Sequence, residues 1–236
     1  KRLKPIPNTY EELLKILNDK NNPLSHEKIT LGKELFFDTK LSLDDTISCS
    51  TCHMISKNPN EKKVILNAIT SKKQPNDMKN ANNCVICHLS DESGTDRLST
   101  AIGYKGATNP HHLNTMTILN SSLAKVLTWD GEVKSIEKQI SNSIQSSYKM
   151  NIKEDELIEK LSKDEKYINH FNEVFKEENS LNFINIQKSI AAYVKILLTR
   201  SSFDEFLEGD NNAISATAKR GLVNFMNFGC AGCHTG

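Results

Sequence analysis

Six cysteines occur in this chain, and all six fall in one repeated pattern: Cys49-Ser-Thr-Cys52-His53, Cys84-Val-Ile-Cys87-His88 and Cys230-Ala-Gly-Cys233-His234. Cys-x-x-Cys-His is the attachment signature of c-type haem. The two thiols bond to the porphyrin vinyl groups, and the next residue places an imidazole under the iron. A zinc site draws four ligands from paired Cys/His clusters, whereas these motifs lie far apart. A dithiol redox pair does not require the histidine. The pattern therefore predicts three covalently attached haems held by Cys49, Cys52, His53, Cys84, Cys87, His88, Cys230, Cys233 and His234, with no thiol left for a structural disulfide.

That requirement bounds the fold. The chain has 236 residues, of which 37% are hydrophobic, a modest share that three apolar macrocycles would supplement. The formal net charge is +1, and the basic residues are interspersed with acidic ones, so no nucleic-acid surface is indicated. No apolar run is long enough to span a bilayer; the longest, near Tyr193 to Leu198, is broken by Lys195. Haem is joined to such motifs after export, so the chain is expected to be periplasmic, its leader already removed.

The apolar spacing is helical nearly throughout. Thr9 and Glu12 suggest a capping box before Leu13, Leu14, Ile16 and Leu17. Ser25 is expected to cap a helix running toward Phe37, and Asn151 with Glu154 to open one through Leu161. Val133, Ile136, Ile140 and Ile144 share a face, as do Tyr167, Phe171, Val174 and Phe175, and Ile190, Val194, Leu197 and Leu198. Ser215 caps a helix that delivers Cys230. No strand alternation is evident. Residues 54–93, rich in Lys and Asn and holding the middle motif, read as an insertion. His26 and His170 read as surface residues. Met54 and Met78 are weighed as axial ligands of the middle haem against simple packing.

Leu31-Gly-Lys-Glu-Leu-Phe-Phe-Asp38, Leu41-Ser42, Ile47-Ser48-Cys49, Asn114-Thr-Met-Thr-Ile-Leu-Asn120, Trp129-Asp130-Gly131, Gln139, Arg200, Phe203-Asp204 and Gly209-Asp210 follow in order. In these segments the chain resembles the bacterial di-haem cytochrome c peroxidases, a family that includes the enzyme maturing methylamine dehydrogenase. The resemblance implies an all-α fold of cytochrome c-like helical domains wrapped around covalent haems. Residues 1–200 would form the first domain, interrupted by the insertion, and 201–236 the start of a second, incomplete one. It also implies reduction of hydrogen peroxide at the first haem, with electrons entering through a second haem from a small cytochrome or cupredoxin.

Residue by residue, the resemblance places Trp129 between two haems as an electron route and Asn114 at an interdomain calcium site, each with the alternative of being merely buried and hydrogen-bonded. Gln139 matches a glutamine lining the peroxide pocket. The family glutamate ten residues later falls on Lys149, an ammonium that accepts a proton only if desolvation lowers its pKa. Tyr104 stands where the family often has a displaceable histidine, and His111 and His112 follow shortly after. These three are candidates to face the first iron on its distal side, or simply to pack or face water. Family members continue beyond the position of His234, so another chain, a homodimer partner or further sequence would complete the last haem site.

Three functions are compatible with these features: a periplasmic peroxidase, an electron-transfer or redox-sensing multihaem protein that kept the fold, and an oxidase using high-valent iron on a protein or organic substrate. The family resemblance favours the first. Lys149 and the middle motif favour the others.

Overall fold

In the computed structural model, residues 3–55 and 94–234 are described. The middle motif, with Cys84, Cys87, His88 and Met78, lies outside them. Among the described residues there are nine α-helices and no β-strand beyond isolated bridges. They are α1 (Tyr10–Leu17), α2 (His26–Phe37), α3 (Cys49–Cys52), α4 (Ile136–Gln145), α5 (Glu154–Ser162), α6 (Glu165–Phe175), α7 (Phe183–Lys195), α8 (Ser202–Leu207) and α9 (Ala216–Asn227).

The starts of most helices follow from local chemistry. Ser25, Ser135, Asn182 and Ser215 each accept a hydrogen bond from the backbone N–H three residues on, which satisfies an otherwise orphaned donor. Helix α5 departs from expectation. Its cap is Lys153, whose N–H donates to Glu156 at 3.1 Å, while Asn151 takes a left-handed φ of 52° in the turn before it. Helix α7 also ends sooner than its apolar spacing suggests. Leu197 and Leu198 remain buried but lie past Lys195, outside the helix, where their N–H groups donate to the Val194 and Ile196 carbonyls.

The core is built on the crossing of α2 with α7, against which α4 and α6 pack. Gly32 makes the crossing close, because a Cβ there would fall on the Ser189 backbone carbonyl. Leu31, Leu35 and Phe36 on α2 meet Ile186, Ile190 and Tyr193 on α7, all essentially inaccessible to water. The Phe36 and Tyr193 rings stand edge to face at 5.3 Å. Each such side chain contributes roughly 1.5–3 kcal/mol on burial.

A polar strut crosses the same region. Glu137 Oε1 accepts from Lys195 Nζ at 2.8 Å and from Asn22 Nδ2 at 2.9 Å. Asn22 Oδ1 in turn accepts from Lys28 Nζ at 3.2 Å. Satisfied on every side, this network tolerates burial that an isolated charge would not. No described helix is long and apolar enough to cross a membrane.

Candidate haem centre

The first motif is held by the loop between α2 and α3. Lys160 on α5 donates to the Ser42 carbonyl at 2.8 Å and the Leu43 carbonyl at 3.1 Å, and pairs with Asp45 at 2.8 Å. Buried Ser48 then caps the single turn α3: its N–H donates to Thr51 Oγ1 at 3.0 Å, and its carbonyl accepts from the Thr51 N–H at 3.1 Å. This turn sets Cys49 and Cys52 one helical turn apart, and the His53 N–H closes it on the Cys49 carbonyl at 2.9 Å.

The donor set fits a covalent haem. Cys49 and Cys52 are free thiols, unpaired with one another. Burial pushes the Cys49 thiol up to about 12, and raises Cys52 as well. Burial lowers His53, keeping it the neutral imidazole that ligates iron. Its Nδ1 lies 3.1 Å from the Gly94 carbonyl. With the ring proton on Nδ1, Nε2 keeps its lone pair for the metal.

Two of the sequence-predicted residues converge here. Cys52 Sγ approaches the Ile102 carbonyl at 3.6 Å, so the segment carrying Tyr104 runs past the motif. The Tyr104 N–H donates to the Lys149 carbonyl at 2.8 Å. Gly103 lets the two backbones touch, since a Cβ there would collide with Tyr148 and Lys149. The half-buried Lys149 is lowered by desolvation, and its charge acts on both Cys52 and His53. Asp96 opposes it at the same two residues. Gln139 is half-buried on α4.

The other candidates lie outward. His111, His112 and Asn114 are exposed. The His111 and His112 N–H groups are turned onto the Asn109 side-chain and main-chain oxygens, and His112 adopts a φ of 53°. The charge of His111 is felt at Asp130, beside Trp129. Trp129 is 60% exposed. Among the described residues, no three His, Cys, Asp or Glu side chains cluster as a metal site. His26 is exposed as expected, but His170 is largely covered, its Nδ1 at 3.2 Å from Glu34.

The last motif follows α9 through Gly229, whose φ of 81° turns the chain into a 3-10 turn at Cys230–Gly232. The His234 ring lies 5.9 Å from Phe225. Val223, Met226 and Phe228 are exposed, with Phe228 at 81%.

The description "Di-haem cytochrome c peroxidase" matches residues 26–82 and 74–212. The chain belongs to this family. Its curated relatives include the cytochrome c551 peroxidase of Pseudomonas aeruginosa, 29% identical over 99% of this chain and 56% of that protein. Another is the cytochrome c peroxidase Ccp of Escherichia coli, 33% identical over 91% of this chain and 38% of the other. The methylamine utilization protein MauG of Methylorubrum extorquens is 30% identical over 92% and 51%. The chain thus spans about half the length of most of these relatives. Among solved structures, a MauG-like protein associated with microbial copper homeostasis shares the fold with a TM-score of 0.65 and 22% identity, over 95% of this chain and 52% of that one. The diheme peroxidase BthA from Burkholderia thailandensis does so at 0.57 and 16%, over 89% and 47%.

Membership of this family implies covalently bound c-type haem. The matched ranges end before the last motif, and the two ranges overlap inside the predicted insertion. Sequence reasoning missed Gly94 as part of the site, because nothing local ties it to His53, 41 residues away.

Proposed function

We propose that the chain is the first-haem portion of a periplasmic peroxidase that reduces hydrogen peroxide with electrons from a small cytochrome or cupredoxin. The haem, when bound, supplies the electrons that break the O–O bond. The protein must hold the peroxide and move its proton. Lys149 Nζ is assigned to that proton transfer, in the place of the family glutamate. The supporting observation is its half-buried position beside the first motif, where desolvation lowers its pKa and makes a neutral amine accessible. Gln139 orients the peroxide, Tyr104 borders the same pocket, and Trp129 carries electrons toward the last motif.

His53, His88 and His234 are the proximal ligands of three haems in this reading, and the middle haem extends the wiring. His111 and His112, exposed in the structure, are given no distal role in this reading, and Asn114 is kept as a calcium ligand to be completed by oxygen donors beyond the described residues.

The test is stopped-flow reoxidation of the reduced, haem-loaded protein by hydrogen peroxide. Fast reoxidation beginning at one haem is expected. Lys149→Glu should retain it and Lys149→Met should lose it by about 10²–10⁴-fold, the usual worth of a general acid–base. Reoxidation as slow as in a ligand-saturated cytochrome would instead favour the electron-transfer or sensing reading. A fast rate in Lys149→Met would remove lysine from the mechanism.

A further inference from the structure

Gly94 is buried, and its peptide groups make three hydrogen bonds at the first motif. The N–H donates to the Met54 carbonyl at 3.0 Å. The carbonyl faces His53 Nδ1 at 3.1 Å and accepts from the Ile118 N–H at 3.3 Å. Its φ is +69°, and a Cβ would meet Thr117 Oγ1 at 2.9 Å, with Leu119 and Ile118 side chains just beyond. The residues after it are laced to the same neighbouring segment. Thr95 Oγ1 donates to the Thr115 carbonyl, and Thr115 Oγ1 to Asp96, both at 2.7 Å. The carbonyl is therefore fixed in direction, and only glycine fits the position that fixes it.

We infer that Gly94 is the positioning residue of the first haem. Its carbonyl holds the Nδ1 proton of His53, which selects the tautomer and fixes the plane of the ring. Drawing that proton toward an oxygen makes Nε2 a stronger donor, which favours ferric over ferrous iron and lowers the potential of this haem. The Met116 backbone assists at His53 to a smaller extent than Gly94.

One hydrogen bond joins Met54 to Gly94, although 40 positions separate them in the sequence. The inference depends on haem at the first motif, not on peroxide turnover, so slow reoxidation by peroxide leaves it standing.

The experiment is redox titration of haem-loaded Gly94→Ala, with Gly209→Ala as control. Gly209 has a positive φ of 113° but open space around it, so it reports backbone strain without touching His53. One haem potential should rise in Gly94→Ala and none in the control. The His53 Nδ1 proton should exchange with solvent about tenfold faster, the size of one lost hydrogen bond. Unchanged potentials and exchange would overturn the assignment. If Gly94→Ala fails to take up haem, the native protein decides. In its reduced, carbon-monoxide-bound form, a scalar coupling between His53 Nδ1 and the Gly94 carbonyl carbon is expected, and its absence rejects the role.

Discussion

In the proposed mechanism Lys149 stands where the family resemblance places a glutamate, and the two groups exchange protons from opposite charge states. Burial penalises the ammonium and so lowers the Lys149 pKa. Tyr104 is the other candidate beside the first motif, its backbone N–H bonded to the Lys149 carbonyl. If Tyr104 ligates the first iron, Tyr104→Phe changes that haem's ferric absorption and electron paramagnetic resonance spectra. An unaltered spectrum places the ring beside the iron without a bond to it.

Among the elements, the α2–α7 crossing bears the most strain-sensitive contact. Gly32→Ala introduces a methyl group into the Ser189 carbonyl, so the helices must separate. Chemical denaturation should show a loss of about 1–3 kcal/mol, the usual cost of overpacking, together with weaker edge-to-face packing of Phe36 on Tyr193. The strut between α4 and α7 predicts a pH effect. Burial alone would raise Glu137, but hydrogen bonds from Lys195 and Asn22 outweigh it and hold the carboxyl below its ordinary value. A carboxylate depressed in the folded state stabilises above its unfolded pKa of about 4.3. That stability is lost as pH falls through the lower folded value. Glu137→Gln should therefore cost about 1.5–3 kcal/mol at neutral pH, and the gap from the wild type should close below about pH 4. A gap constant with pH would mean that the amide loses packing rather than charge.

For the whole molecule, the distribution of covered and bare surface is the informative feature. The core around α2 and α7 is closed, whereas α9 contributes no buried residue and leaves Val223, Met226 and Phe228 exposed beside the last motif. An apolar row next to a haem-attachment sequence suits a porphyrin face. Haem content tests this arrangement: pyridine haemochrome assay against protein mass should return three haems per chain. Replacing Cys84 and Cys87 with alanine should lower the ratio to two while the helical circular dichroism persists, and a ratio of two in the native protein would remove haem from the middle motif.

What could be read from the residues alone was set by short-range physics. Cysteine spacing, the serines capping α2 and α9, and helical periodicity each depend on neighbours within a turn, so the haem chemistry and the all-helical class were accessible before any fold was known. Boundaries blurred where tertiary burial mimicked helix periodicity, as at Leu197 and Leu198, which are covered without being helical. Lys149 was a candidate from the resemblance alone, but its lowered pKa was not legible, because desolvation depends on what else packs around the side chain. The tie between Gly94 and His53 was invisible for the same reason. A carbonyl has no side-chain signature, and its partner lies 41 residues away in the chain, so only the folded structure, which closes that distance, could decide it.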